Sequence, residues 1–460
     1  MKILLAASEV APIIKLGGLG DVIGSLPKAL EELGVNADVI VPFYPKAKTE
    51  NLKVYKSLEI TVPFDNATHT VEVHNTKLPG SNVDVLMLKN AEYFSSDKGE
   101  TEVFTFFDKA VVEYIKAQFN TYDLVHCHDW HTGLITHLLK EELHEERPAT
   151  LFTVHNLFYP GTGDPSLVRK VGISPGTHQL IDYDISDGDL NLVYQGITSS
   201  DYVSTVSESY AEEIKTEEFG SYMAEILQSR KDVLRGIING IDYSAFARDF
   251  DKSDWQEKKA KHKKELQKEL GLNEGKKPVF SFVSRLDPGQ KGLDILLISI
   301  PHILESGGQF VLLGTGDKEW EGKLAQLMEE KKYEGDVSIN IKFNVGLANK
   351  IYSSSDFFFV PSRYEPCGLT QMIAMRYGTP PVVRGVGGLK DTVNDGVNGF
   401  VFDEYSSLGL KKAIDRALSL YKKPEEYKKM VENCLDTDFS WDKSAKKYVQ
   451  LYEEMIQSRK

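Results

Sequence analysis

Cysteine is scarce in this sequence, with only Cys127, Cys367 and Cys434 among 460 residues. An odd number of cysteines cannot all form disulfides, and their spacing matches no metal-binding motif. Disulfide-stabilised folds belong mainly to oxidising compartments. The shortage therefore excludes a disulfide scaffold and predicts a protein of a reducing compartment, for which we expect a cytoplasmic location.

Long apolar runs are also lacking. The N-terminal segment MKILLAASEVAP contains an apolar run only as long as a strand, which is too short for the core of a signal peptide. No later run approaches the roughly 20 apolar residues that a membrane-spanning helix needs. We therefore expect no membrane partner and no cleaved targeting segment.

An excess of positive charge is the third absence. Lysine and arginine number 54 against 68 acidic residues, which gives a formal net charge of −14. This balance argues against a nucleic-acid partner or an anionic membrane surface. An anionic substrate must be held by a few local basic groups, whereas a neutral polymer is indifferent to the charge. The length favours two domains, because it exceeds what one typical core supports.

Short apolar runs alternate with helical patterns along the whole chain, which is typical of the α/β class. We predict two doubly wound, Rossmann-like domains facing a central cleft, with residues 1–243 as the first domain and 244–438 as the second. A final helix at 439–460 is expected to return to the first domain. The predicted strands are 2–7, 37–41, 83–88, 124–127, 150–154, 202–206, 279–283, 310–313, 337–343, 357–360 and 381–383.

The first predicted strand is followed by Lys15 and the sequence GGLGD at 17–21, which leads into a helix. Glycines at such a place let a phosphate approach the backbone, and a lysine supplies the charge that a nucleotide diphosphate requires. The segment is not the dinucleotide-binding fingerprint, because the third glycine is displaced to Gly24 and no acidic residue ends the second strand. A packing role for these glycines is the alternative.

Two further strands of the first domain end in polar clusters, HCHDWH at 126–131 and HN at 155–156. Zinc is one interpretation, but four candidate ligands within six residues cannot all turn toward one ion. Polar side chains at the carboxyl ends of parallel strands favour a rim that binds sugar hydroxyls or carries out catalysis. The stretch 156–190 is rich in Gly, Pro and Asp and predicts a surface loop region.

In the second half, the sequence EPCG at 365–368 lies between a buried strand and a helix predicted at 369–377. This position suits an anionic or hydroxyl-rich ligand, because backbone N–H groups and the helix dipole face it. An ordinary turn is the alternative. The segment SRLDPGQKG at 284–292 likewise puts basic residues after a strand, while the basic run 255–270 predicts a helix with a solvated face.

Together these motifs resemble bacterial glycogen synthase and plant starch synthase over nearly the whole chain. The segments that carry the resemblance are Lys15 with GGLGD, HCHDWH, TVHN, TVSESYAEEI, NGID, SRLDPGQKGLDIL, PSRYEPCGLTQ and YGTPPVVRGVGGLKDTV. The resemblance implies the GT-B architecture and a retaining transfer of glucose from ADP-glucose or UDP-glucose to an α-1,4-glucan. It also implies that no metal ion and no cofactor is required.

The resemblance assigns roles residue by residue. The diphosphate falls to Lys15, Gly18, Arg285 and Lys291, and the donor glucose to His155, Asn239, Glu365 and the amides of Cys367 and Gly368. Asp129 and Asn156 line the reacting end, Tyr352 stacks on the base, and Thr370 lies on the phosphate side of a helix start. Asp21 approaches the nucleoside, and Tyr93 lies at the acceptor edge.

Several positions depart from the family pattern. Leu16 replaces the usual threonine, Tyr194 stands where a lysine is usual, and Arg285 and Lys291 are six residues apart rather than five. One alternative is another retaining glycosyltransferase that uses a UDP-sugar, but its usual second glutamate corresponds to Ile373 here. The other is a non-catalytic glucan-binding or regulatory relative, which should have lost some of the charged donor residues. A nicotinamide oxidoreductase lacks its fingerprint.

Overall fold

The computed structural model describes residues 1–95 and 97–459. Two compact units are present: unit 1 comprises Met1–Gly240 and the segment that begins at Trp441, and unit 2 comprises Ile241–Ser440. Each unit contains its own sheet and its own apolar core. The fold can therefore be described one unit at a time.

Unit 1 is built on a nine-stranded sheet and a small two-stranded one. The strands are β1 (Lys2–Ala6), β2 (Asn36–Pro42), β3 (Tyr55–Phe64), β4 (Ala67–Lys77), β5 (Asp84–Lys89), β6 (Leu124–His128), β7 (Ala149–Val154), β8 (Thr162–Gly163), β9 (Leu190–Asn191), β10 (Tyr202–Thr205) and β11 (Leu234–Gly236). The large sheet has the order β11-β10-β7-β6-β1-β2-β5-β4-β3, and β8 pairs with β9.

The strands from β11 to β5 pair in parallel, whereas β4 and β3 are antiparallel at the edge. Apolar runs mark the parallel strands because both of their faces are covered. The antiparallel pair is an addition that the predicted strands do not include. Its residues alternate between buried and exposed positions in β3, which is the pattern of a sheet with one solvated face.

The helices of unit 1 that precede unit 2 are mostly short. They are α1 (Gly18–Glu32), α2 (Ala91–Phe94), α3 (Glu100–Ala117), α4 (Gly133–Leu143), α5 (Leu167–Lys170), α6 (Gln179–Asp184), α7 (Leu192–Ser199), α8 (Glu208–Glu213), α9 (Glu217–Gly220) and α10 (Ala224–Ser229). The long helices α1 and α3 each bury one apolar face against the sheet.

Unit 2 has a six-stranded, fully parallel sheet of order β14-β13-β12-β15-β16-β17. Its strands are β12 (Val279–Val283), β13 (Gln309–Gly314), β14 (Val337–Ile341), β15 (Phe357–Val360), β16 (Pro381–Arg384) and β17 (Phe400–Phe402). Its helices are α11 (Trp255–Glu269), α12 (Leu293–Glu305), α13 (Lys318–Ala325), α14 (Val345–Ser354), α15 (Thr370–Arg376), α16 (Gly387–Thr392), α17 (Ser407–Tyr421) and α18 (Pro424–Asp436).

The C-terminal helix α19 (Trp441–Ser458) packs into the core of unit 1. Its Tyr452 hydroxyl lies 2.8 Å from Nδ1 of His126 on β6, and both side chains are fully buried. The same imidazole lies 2.6 Å from the hydroxyl of Thr153 on β7 through Nε2. The first histidine of the HCHDWH cluster is thus a core residue held by two hydroxyl groups.

Helix α11 differs from its prediction. The basic run at 255–270 was expected to present a solvated face, but Lys259 and Lys263 are buried. The Lys259 ammonium donates to the carbonyls of Ser353 and Tyr377 and to the hydroxyl of Thr379. A buried ammonium is tolerated when acceptors surround it, so the solvated-face prediction is wrong for these two lysines.

The observed topology confirms the α/β class and the doubly wound parallel sheets. Because the strands are parallel, their carboxyl ends within each sheet share one edge, and the predicted polar segments follow those ends. No helix in the described ranges has both the length and the apolar character that crossing a bilayer requires.

Candidate active site

The carboxyl-terminal edge of the unit 1 sheet brings together the segments that follow β1, β6 and β7. Asp129 follows β6 and has φ 59°, an uncommon conformation for a residue other than glycine. Its Oδ1 accepts the backbone N–H of His155 at 2.7 Å and that of Asn156 at 3.4 Å. The turn after β6 is therefore tied to the turn after β7, and the predicted residues Asp129, His155 and Asn156 lie together.

Burial determines the charge states at this edge. Desolvation lowers the pKa of His155 to about 3, so its imidazole is neutral near pH 7. Desolvation raises the pKa of Asp129 to about 7, with a further upward contribution from the charge of Glu9, against the two N–H groups that lower it. His155 Nε2 also lies 3.0 Å from Nδ1 of His128, which is neutral for the same reason. Neutral imidazoles suit hydrogen bonding to hydroxyl groups.

The glycine-rich loop donates hydrogen bonds to a side chain that the sequence analysis did not identify. The buried carboxylate of Glu9 accepts the backbone N–H of Gly17 at 2.8 Å and also that of Leu16. The Gly17 amide belongs to the glycine segment that a phosphate was expected to approach. The signal available in the sequence was an acidic residue directly after the apolar strand, within AASEVAP, where a structural carboxylate is unusual without partners.

Lys15 and Asp21 form an ion pair in the same loop, with Nζ and Oδ1 2.6 Å apart. The Lys15 side chain is half exposed, and Asp21 is on the first turn of α1. Gly18 begins α1, and a Cβ added there would meet no atom within 4 Å. Nothing in the described protein therefore requires glycine at this position. By contrast, a Cβ at Gly24 would lie 2.4 Å from the carbonyl oxygen of Ala11.

Asn239 lies in the segment that follows β11, at the same edge of the sheet. Its side chain is 5% exposed. Its Oδ1 is buried and has no hydrogen-bond partner among the residues described. A buried carbonyl oxygen of this kind is costly unless a ligand or water donates to it, which fits a hydroxyl-binding role.

In unit 2, Lys291 and Glu365 are brought together although 74 residues separate them. Lys291 Nζ lies 2.8 and 3.1 Å from the two oxygens of the Glu365 carboxylate, which also accepts from the hydroxyl of Ser362 at 2.8 Å. The loops after β12 and β15 touch at Gly292, where φ is 68° and a Cβ would lie 2.0 Å from the carbonyl oxygen of Pro361. Glycine is required there for the pair to form.

Arg285 is exposed after β12, and its guanidinium has no hydrogen bond or ion pair with the residues that the structure describes. Cys367 is buried, and Gly368 adopts φ 72° just before α15, which begins at Thr370. A Cβ at Gly388 on α16 would lie 2.1 Å from the Cys367 carbonyl oxygen, so α16 is packed directly against this turn. Close packing of α16 therefore holds this strand-end turn in place.

Two aromatic side chains do not lie where the resemblance implies. Tyr352 is 4% exposed, and its ring packs against Phe358 with centroids 5.1 Å apart, so no face is open to a nucleotide base. Tyr93 is 3% exposed and stacks on Phe106 at 3.8 Å, which removes its ring from a glucan-binding surface. Both roles were assigned from sequence position, whereas each aromatic ring is packed inside its own unit.

Comparisons with known proteins cover the whole chain. A family model described as the starch synthase catalytic domain matches residues 2–229, and one described as glycosyl transferases group 1 matches residues 262–434. Glycogen synthase of Pseudothermotoga lettingae is 40% identical, with 100% of each chain covered. Glycogen synthase of Kosmotoga olearia is 41% identical, covering 100% of this chain and 98% of the relative.

The chain belongs to the glycogen and starch synthase family. Like other members, it is a glycosyltransferase that transfers glucose in glycan synthesis. The solved catalytic domain of starch synthase IV from Arabidopsis thaliana, bound to ADP and acarbose, has a TM-score of 0.89 and is 31% identical, covering 99% of both chains. Sucrose-phosphate synthase from Thermosynechococcus elongatus shares the fold, with a TM-score of 0.63 at 20% identity over 99% of both chains. The GT-B architecture is thereby confirmed.

Proposed function

We propose that the donor is ADP-glucose and that glucose is transferred, with retention, to the 4-hydroxyl at the non-reducing end of an α-1,4-glucan. The solved starch synthase IV domain, at 31% identity, carries ADP and acarbose. The same kind of donor is supported for this chain, because all the charged donor residues of the family pattern are present. They are Lys15, Arg285, Lys291 and Glu365. Unit 2 is assigned most of the donor nucleotide, and unit 1 is assigned the acceptor together with the donor contacts of its glycine-rich loop.

In unit 2, Arg285 and Lys291 neutralise the departing diphosphate. The observation that carries this assignment is the Lys291–Glu365 pair, which holds an ammonium in place beside the turn at Cys367 and Gly368. Negative charge grows on the diphosphate as the glycosidic bond breaks, and preorganised cations stabilise that growth. Thr370 is assigned to the phosphate side of α15.

Glu365 orients the donor glucose. Its carboxylate can accept hydrogen bonds from sugar hydroxyls while Lys291 and Ser362 fix its direction. The amides of Cys367 and Gly368 are assigned to the same sugar. Because Tyr352 is buried, the base is assigned no stacking partner on this chain.

In unit 1, His155, Asn239, Asp129 and Asn156 are assigned to sugar hydroxyls. His155 is neutral and therefore forms hydrogen bonds without adding charge. Lys15 and Gly18 are assigned to the phosphates and Asp21 to the nucleoside side. With retention, the acceptor hydroxyl attacks on the face that the diphosphate leaves, and its proton passes to that leaving group.

The test is transfer of radiolabelled glucose onto glycogen from ADP-glucose and from UDP-glucose in parallel. We expect higher kcat/KM with ADP-glucose and complete release of the radiolabel from the product by an exo-acting α-1,4-glucan hydrolase. Equal or higher efficiency with UDP-glucose would refute the donor assignment. Absence of transfer onto glycogen from either donor would refute the acceptor assignment.

A further inference from the structure

Helices α4 and α6 of unit 1 bring two imidazoles and a carboxylate together. His137 and Glu141 are four residues apart on α4 and therefore share one face of the helix. His178 lies directly before α6. One candidate ligand atom from each of the three lies within 4.8 Å of the other two, and His178 Nδ1 is 3.2 Å from Glu141 Oε2.

His137 is the buried member of this group, with 3% exposure. Its Nδ1 lies 3.2 Å from the hydroxyl of Ser199, whereas its Nε2 is buried and has no hydrogen-bond partner in the described chain. When Nδ1 donates to the Ser199 hydroxyl, Nε2 carries the lone pair that a metal ligand offers. A buried nitrogen without a partner needs an explanation, and a bound cation supplies one.

We propose that His137, Glu141 and His178 bind a divalent transition metal ion, with Zn²⁺ as the best match. Imidazole nitrogen and carboxylate oxygen suit Zn²⁺, while Mg²⁺ and Ca²⁺ prefer all-oxygen sites. A tetrahedral zinc site places its ligand atoms about 3.3 Å apart, so the His178–Glu141 distance already fits. The remaining separations, up to 4.8 Å, require the imidazoles to move inward, and water completes the coordination.

Such an ion would fasten the long segment between β7 and β9 to α4. This segment carries His178 and turns at several glycines with positive φ, among them Gly172 and Gly176. Its own elements are short, so a link to α4 adds stability that local structure does not provide. Lys140, also on α4, carries a positive charge that disfavours a cation at this site. The negative charge of the Glu141 carboxylate offsets it.

The experiment is a zinc titration of the full chain after removal of metals by chelation and dialysis. Competition with a chromophoric chelator gives affinity and stoichiometry, and Co²⁺ absorption reports tetrahedral coordination. We expect one tight site per chain, and at least about tenfold weaker binding in Glu141→Gln and in His178→Gln. His302→Gln is the control, because His302 lies in unit 2 and its ion pair there is with Asp415.

Zinc should also raise the thermal unfolding temperature of the parent but not of the two variants, which are at partly exposed positions and should fold normally. Parent and variants that bind Zn²⁺ equally would show binding elsewhere and overturn the proposal, as would the absence of any tight site in the parent. Glucose transfer should remain at the parental rate in both variants at a temperature where they are folded, which separates this site from the proposed function.

Discussion

Lys291 and Glu365 form an ion pair with a shortest N–O distance of 2.8 Å, and their side chains are 15% and 8% exposed. Both charges are largely removed from water, so each depends on the other. The pair also fixes an ammonium where the proposed diphosphate leaves. It therefore has a structural and a catalytic consequence, and the two can be separated by experiment.

Lys291→Met should lower the free energy of unfolding by about 3 kcal/mol, because it leaves the Glu365 carboxylate buried with the Ser362 hydroxyl as its remaining side-chain partner among the described residues. The double variant Lys291→Met with Glu365→Gln should recover part of this loss, since no unpaired charge remains. Urea unfolding measures both. A double variant less stable than the sum of the two single changes would contradict the dependence of each charge on the other.

Gly18→Ala should leave stability unchanged or raise it by up to about 1 kcal/mol, because the added methyl group meets no atom within 4 Å. Its kcat/KM for the donor should fall roughly 10- to 100-fold if a phosphate approaches this backbone. Gly24→Ala is the matched control with the opposite profile: its Cβ would clash with the Ala11 carbonyl and lower stability. Unchanged donor kinetics in folded Gly18→Ala would remove Gly18 from the phosphate site.

Asp129 should make stability depend on pH. Its folded pKa, about 7, is above the ordinary aspartate pKa of 3.8, so the folded protein holds this proton more tightly than the unfolded chain. The stabilising contribution is complete below about pH 4 and is lost as pH rises toward 7. Asp129→Asn lacks this loss and keeps an oxygen acceptor, so its stability relative to the parent should increase across that range.

The full shift corresponds to at most about 4 kcal/mol, and partial solvent access reduces it. Urea unfolding of parent and Asp129→Asn at several pH values between about 4 and 8 measures the difference. A difference that stays constant over the whole range would show that the Asp129 carboxyl group titrates near its ordinary pKa.

Lys259→Met should destabilise unit 2 by roughly 3 kcal/mol, because two carbonyls and a hydroxyl lose their buried donor. Lys268→Met, at an exposed position of the same helix, should change stability by less than about 0.5 kcal/mol. Chemical unfolding monitored by circular dichroism checks both. Equal small effects would mean that water reaches the acceptors around Lys259.

Sequence patterns revealed the parallel sheets because continuous apolar runs mark strands buried on both faces, as in β12 and β15. They did not reveal β3 and β4, whose residues alternate between buried and exposed. The basic run of α11 looked solvated, since composition does not show that acceptors from distant turns surround Lys259. Only the folded chain supplies those partners.

Prediction of the candidate site was limited in the same way, because some of its contacts form only in the folded chain. Glu365 and Lys291 were predicted as site residues, and the parallel pairing of β12 with β15 explains why their loops meet. Glu9 was missed, because the return of the loop at Leu16 and Gly17 onto its carboxylate depends on tertiary geometry. Tyr352 was assigned from the family resemblance, although helix α14 directs its ring against Phe358 in the core.

The most direct test of the account is the kcat for glucose transfer from ADP-glucose to glycogen, measured in excess chelator below the unfolding temperature of the metal-free protein. The parent should retain its activity, because cationic side chains rather than a metal ion stabilise the leaving diphosphate. Arg285→Ala and Lys291→Ala, checked to be folded, should each lose roughly 10²- to 10³-fold in kcat, while the control Arg416→Ala, whose partner is Asp395, should not. Activity abolished by chelator and restored by Mg²⁺ or Mn²⁺, or near-normal kcat in both cation variants, would contradict the account.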